Sequence, residues 1–186
     1  MKFATLAGKF LIAVPSLADP FFERTVLYLC AHNEDGALGL VINQPLDTTM
    51  SQMAGYLELD WQRPGVDRVY MGGPVSPEQG FVLFEQALDL PGIMMLPDDL
   101  YMGTNPDIIR LMGRAGAQER FLFALGYAGW EAGQLEHELQ ENSWLVCDAQ
   151  RSILFDMGYA QRWEAAIRSM GIDPALLVDA SHGFAN

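Results

Sequence analysis

Apolar residues run in short blocks or alternate with polar ones through most of the chain, the pattern of strands. Phe10 to Val14 is one such block and stops at Pro15. Thr25 to Ala31 is rich in β-branched and aromatic residues, and Leu38 to Asn43 follows the turn signal Asn33-Glu34-Asp35-Gly36. Two apolar runs around a loop of that composition predict a hairpin. Further strand windows are Arg68 to Met71, Gly80 to Glu85, Gly92 to Leu96, Phe121 to Gly126, Trp144 to Cys147 and the short Ser152 to Phe155.

Four windows carry helical spacing instead. Met50, Met53, Ala54 and Leu57 share one helix face, as do Ile108, Leu111, Met112 and Ala115. Asn105 and Pro106 ahead of the second set are an N-cap and a proline at the first helical position. Between Glu131 and Asn142 the stripe thins to Leu135 and Leu139, so this helix keeps a wide acidic face in solvent. Trp163, Ala166, Ile167 and Met170 form the fourth stripe, closed by Gly171, and Asp173-Pro174 caps a final turn. Strands in threes with helices between them predict an α+β fold: a single compact mixed domain over residues 1–186, largely antiparallel sheet with about four packed helices.

Composition narrows the classes. At 186 residues, 50% hydrophobic and 19% charged, the chain suits one globular domain that needs no disulfide or metal for stability. No apolar run approaches the roughly 20 residues of a membrane-spanning helix. The opening Met1-Lys2-Phe3-Ala4-Thr5 is a poor signal peptide. Cys30 and Cys147 are too few for a secreted disulfide scaffold, so a cytoplasmic location is expected. Eleven basic residues against 24 acidic ones give a net charge of −13 with no basic cluster. That field repels phosphate, which argues against direct nucleic-acid binding and against docking on anionic membranes.

The sequence carries no P-loop, dinucleotide fingerprint, zincin, nucleophile-elbow or C-x-x-C motif. His32, His137 and His182 share no metal-ligand spacing, so neither metal nor cofactor is expected and no catalytic residue is assigned. Cys30 and His32, at i and i+2 on a strand, would point to one face and form a redox-responsive thiolate–imidazolium pair. The competing reading makes Cys30 a packed core thiol. Three loops, Asn43-Gln44-Pro45, Gly72-Gly73-Pro74 and Gly126 to Trp130, follow apolar strands. They nominate Asn43, Gly72, Gly73, Pro74, Tyr127 and Trp130 as ligand-binding residues, with Glu131 and Gln134 at the rim. Tight strand-to-helix turns call for the same residue types.

The chain also resembles the AlgH/YqgE family of bacterial proteins. The resemblance lies in Leu11 to Phe22, Val26 to His32 and Gly36-Ala37-Leu38-Gly39. It continues in Gly72-Gly73-Pro74-Val75, Gly80-Phe81-Val82-Leu83, Ala124 to Trp130, Gly133 to Glu136, and Ile153-Leu154-Phe155 to Arg162-Trp163. These blocks stand in family order over nearly the whole chain. They imply a compact mixed domain in a bacterial cytoplasm and no defined reaction; some members carry a transcriptional-regulator label. After Gly80 to Leu83 the family often has a histidine, where this chain has Phe84. The leading expectation is a non-enzymatic binding or regulatory module acting through a protein partner or small ligand. A thiol-based redox protein or enzyme using Cys30 and His32 is the second, and a direct DNA-binding regulator the third.

Overall fold

The computed structural model describes residues 4–177, apart from Ser16, Ala18 and Val66. Among the described residues ten strands form one sheet system. In chain order they are β1 (Lys9–Ala13), β2 (Val26–Asn33), β3 (Gly36–Val41), β4 (Pro45–Thr49), β5 (Arg68–Met71), β6 (Val75–Phe84), β7 (Ile93–Leu96), β8 (Leu100–Gly103), β9 (Phe121–Glu131) and β10 (Trp144–Asp148). The helices are α1 (Met50–Tyr56), α2 (Pro106–Met112), α3 (Gln134–Gln140) and α4 (Tyr159–Ser169). The spatial order is β10-β1-β2-β3-β9-β6-β8-β7, with β5 attached to β9 and β4 to β5. Every pairing is antiparallel except β5 with β9. The fold is mixed α+β.

Strand β9 is the spine. Its first half pairs with β6 and, in parallel, with β5, while Ala128 to Glu131 pair with β3. Side-chain alternation divides the core between the two sheet faces. Phe10, Ile12, Val26, Tyr28, Leu40 and Ala124 face α4 and pack on its Trp163, Ala166 and Ile167. On the other face Leu11, Leu27, Leu29 and Val41 meet Leu135 of α3 together with Trp130 and Trp144. Farther along the sheet, Val82, Phe84 and Phe123 meet Met50 of α1 and Ile108, Ile109 and Met112 of α2.

The short helices rely on their caps. Thr49 and Gln52 form a reciprocal capping box on α1, and the Asn105 carboxamide accepts from the Asp107 N–H at the start of α2. Arg162 fastens α4: its buried guanidinium donates to the carbonyls of Met157 and Ile42 and lies 5.1 Å from the Tyr70 ring centroid.

Several expectations need correction. Ser152 to Phe155 is not a strand; Ser152–Asp156 is a turn of π-helix that buries Ile153 and Leu154. Strand β4 is unexpected because it begins with proline, is polar, and pairs only with β5. Strand β8 is closed onto β7 by Asp98 and Asp99, at φ 59° and 54°. Tight hairpins more often place Asn-Gly there, so the turn left no usual signature. The segment Gly126 to Trp130 is strand rather than loop. Gly126 sits at φ 71° and the inward–outward alternation slips there, so β9 kinks and continues instead of ending, opposite the extra residues 76–79 of β6. Residues 174–177 do form a helical turn.

Candidate functional site

The kink in β9 prepares a surface. Before it, Leu122 and Ala124 point toward the α4 side; after it, Tyr127 does, while Ala128 and Trp130 point to the α3 side. The β2–β3 hairpin lies alongside, its turn held by the Asn33 carboxamide accepting from the Asp35 N–H at 2.9 Å. Between hairpin and strand is a concavity of about 520 Å³, open to solvent. Leu38, Val75, Tyr127 and Trp130 supply its apolar and aromatic wall, and Asn33, Asp35 and Glu131 its polar rim. No Lys or Arg is among the lining residues.

The wall is rigidly held. Trp130 donates its indole N–H to Glu138 Oε2 at 2.9 Å, and Trp144 donates to the same oxygen at 2.8 Å. Gln134 donates to the other oxygen, Oε1, at 2.9 Å. One carboxylate on α3 therefore fixes two indoles, whose rings meet edge to face at 6.0 Å. Tyr127 stands edge to face on Phe81 at 5.7 Å. Val75 is 38% exposed and offers a methyl surface to solvent.

Of the six nominated ligand residues, Tyr127 and Trp130 line this concavity, and Asn43, Gly72, Gly73 and Pro74 do not. Asn43 accepts from the Val26 N–H at 2.8 Å and donates to the Arg24 carbonyl at 2.9 Å, so it anchors the start of β2. Gly72 donates to the Leu125 carbonyl and accepts from the Val41 N–H, both at 2.8 Å. Gly73 lies directly against the Tyr127 backbone. Gly72 and Gly73 thus seat against β9 beside Tyr127, whereas Asn43 belongs to the opposite end of the β2–β3 hairpin. At the rim Glu131 lines the concavity, whereas Gln134 accepts from the Glu131 N–H at 3.1 Å and donates to Glu138. Asn33, Asp35, Leu38 and Val75 were not anticipated as lining, because nothing in the sequence shows that β3 pairs with β9.

The thiol–imidazole pair is also corrected. The β2–β3 register slips between Leu29 and Ala31, which inserts a bulge at Cys30. Cys30 packs with Tyr28 and Val26 on the α4 face, whereas His32 is opposite Ala37, which packs on the α3 face. The two side chains thus leave opposite sides of the sheet. The Cys30 thiol donates to the Tyr28 carbonyl at 3.7 Å, and burial pushes its pKa far above the usual thiol range. Nδ1 of His32 accepts from the Leu6 N–H at 3.0 Å, which leaves Nε2 to donate to Glu136 Oε1 at 2.9 Å. Cys147, half-buried, is likewise pushed up by burial. Among the described residues no three His, Cys, Asp or Glu side chains form a metal-binding group, and no helix is long and apolar enough to cross a membrane. His182 lies outside the described residues.

Comparison with known proteins agrees with this architecture. A UPF0301 protein of Pseudoalteromonas translucida is 44% identical over 172 residues, covering 91% of this chain and 93% of that protein. One from Vibrio parahaemolyticus is 42% identical over 184 residues, covering 95% and 98%. The solution structure of AlgH from Pseudomonas aeruginosa superposes with a TM-score of 0.77 at 42% identity over 96% of this chain and 97% of that one. A crystal structure of a Corynebacterium diphtheriae protein, 22% identical over 95% and 94%, shares the fold with a TM-score of 0.72. The AlgH-like family model matches residues 10–175, and the chain belongs to that family.

Proposed function

We propose that this chain is a non-enzymatic binding module of the bacterial cytoplasm, and that its working surface is the concavity between the β2–β3 hairpin and β9. One observation carries the reading: a solvent-facing apolar wall of Leu38, Val75 and Tyr127, with Tyr127 seated edge to face on Phe81, is edged by carboxylates and by no cation. Fixed aromatic side chains contribute contact area at low entropic cost, which is why they dominate interface energetics. Small-molecule sites enclose most of their ligand. An open depression of this kind suits a segment of a partner protein better, one with an apolar or aromatic residue for the wall and a basic residue for Asp35 and Glu131. A regulatory role would then run through protein contact, with no direct grip on duplex DNA.

A photo-crosslinking amino acid at Val75, compared with one at the exposed Glu164 on α4, tests this in living cells. A discrete protein adduct at position 75 and none at 164 is the expected result. Equal labelling at both positions, or none, contradicts the reading.

A further inference from the structure

A second, smaller pocket lies on a different part of the molecule, where α1 and α2 straddle β6 and β9. Its volume is about 190 Å³. Met53 and Leu57 wall it on one side and Ile109 on the other, with Val82, Phe123 and Leu125 beneath. Phe123 packs directly on Gly80, where a β-carbon would stand 2.6 Å from its ring. Two polar residues are among the lining, Thr104 and the exposed Glu78 at the mouth. No Lys or Arg lines the pocket, and among the described residues no cation pairs with Glu78. Outside, Tyr56 at 76% exposure and Leu57 at 41% extend the apolar surface beyond the last turn of α1.

We propose that this pocket binds a small amphiphilic cation, a single ring or short alkyl chain bearing an amine, with the apolar part among Met53, Ile109 and Phe123 and the ammonium at Glu78. Size sets the apolar part. An apolar cavity of about 150 Å³ is known to accept one benzene ring, so this pocket admits a ring and little more. Charge sets the head group. An apolar pocket whose one ionised side chain is a carboxylate, on a chain of net charge −13, attracts a cation and repels an anion. Thr104 gives an ammonium a second acceptor. The pocket shares no residue with the concavity of the proposed interaction surface, so either can fail alone.

The test is methyl NMR on the full chain, titrated with phenethylamine and, separately, with 3-phenylpropionate. The methyl signals of Met53, Leu57, Val82, Ile109 and Leu125 should shift and saturate with the amine below about 10 mM, the affinity range of fragment-sized ligands. The carboxylate should bind several-fold more weakly. Glu78→Gln should weaken the amine about threefold, as expected for an exposed ion pair, and should not weaken the carboxylate. Leu57→Trp places an indole over the mouth from an exposed position and should abolish binding of both probes. The proposal is overturned if the amine gives no saturable shift, if amine and carboxylate bind equally, or if binding survives Leu57→Trp.

Discussion

A β-carbon on Gly73 would stand 1.9 Å from the carbonyl carbon of Tyr127. The Gly72-Gly73 segment therefore lies flush against β9 at the point where the Gly126 kink redirects Tyr127, and only glycine allows that approach. Gly73→Ala forces backbone from backbone and should cost about 3 kcal/mol or more in urea unfolding. Gly55, inside α1 with nothing within 4 Å of its would-be β-carbon, is the control. Gly55→Ala should instead stabilise by about 0.5–1 kcal/mol, from helix propensity. Equal effects at the two sites would refute the close-approach account.

The carboxylate of Glu138 accepts both indole N–H groups. Glu138→Ala strands two donors on nearly buried rings, at 7% and 4% exposure, and should cost about 2–4 kcal/mol. Glu138→Gln keeps an oxygen acceptor and should cost about 1 kcal/mol. Denaturation midpoints at unchanged m-value measure both. If the two variants are equally stable, the shared carboxylate does not organise the wall.

Burial raises the folded-state pKa of Cys30 and also that of the Tyr28 hydroxyl. A group raised in this way contributes stability that is fully present below its unfolded value and is lost as pH rises toward the folded one. The unfolded thiol titrates near pH 8.5, so stability should fall above that pH, Cys30 contributing a slope of up to about 1.4 kcal/mol per pH unit. Cys30→Ala should reduce the slope between about pH 8.5 and 9.5, where free tyrosine, with a pKa near 10, is still mostly protonated and Cys147 supplies the remainder. In the folded protein the Cys30 thiol should resist alkylation at neutral pH. Rapid labelling that His32→Ala slows would restore the thiol–imidazole pair.

Net charge −13 with no basic stripe predicts no retardation of duplex DNA in a gel shift at about 0.15 M salt. Micromolar retardation that weakens steeply with added salt would overturn it.

Much of the fold was legible because it is written in local periodicity. The four amphipathic stripes became α1 to α4, and the apolar windows beginning at Phe10, Thr25, Leu38 and Arg68 became strands. What was illegible depends on pairing. The Leu29/Ala31 bulge reverses the face of His32, yet the sequence there reads as unbroken alternation, so Cys30 and His32 looked like partners. Gly126 looked like a terminator and is a positive-φ kink inside an 11-residue strand. Strand β4 has almost no apolar signal because it pairs only with β5. At the site, Tyr127, Trp130 and Glu131 were recognisable as aromatic and acidic residues beside glycines. Asn33 and Asp35 read only as turn residues, since their place opposite β9 follows from long-range register. Asn43 and Gly73 carried the right composition for a site, but Asn43 anchors the start of β2 and Gly73 packs on the Tyr127 backbone.

The central claim is that the concavity walled by Leu38, Val75, Tyr127 and Trp130 is a docking surface for a basic, aromatic segment. The most direct measurement is a backbone amide NMR titration with two short peptides of identical aromatic content, one flanked by lysines and one by glutamates. The lysine peptide should shift the amides of residues 33–38, 75 and 127–131 and leave α4 unmoved. The glutamate peptide should bind at least several-fold more weakly, and Val75→Glu, at an exposed position, should weaken aromatic docking of both. Shifts centred on any other face, or equal binding of the two peptides unaffected by Val75→Glu, would contradict the account.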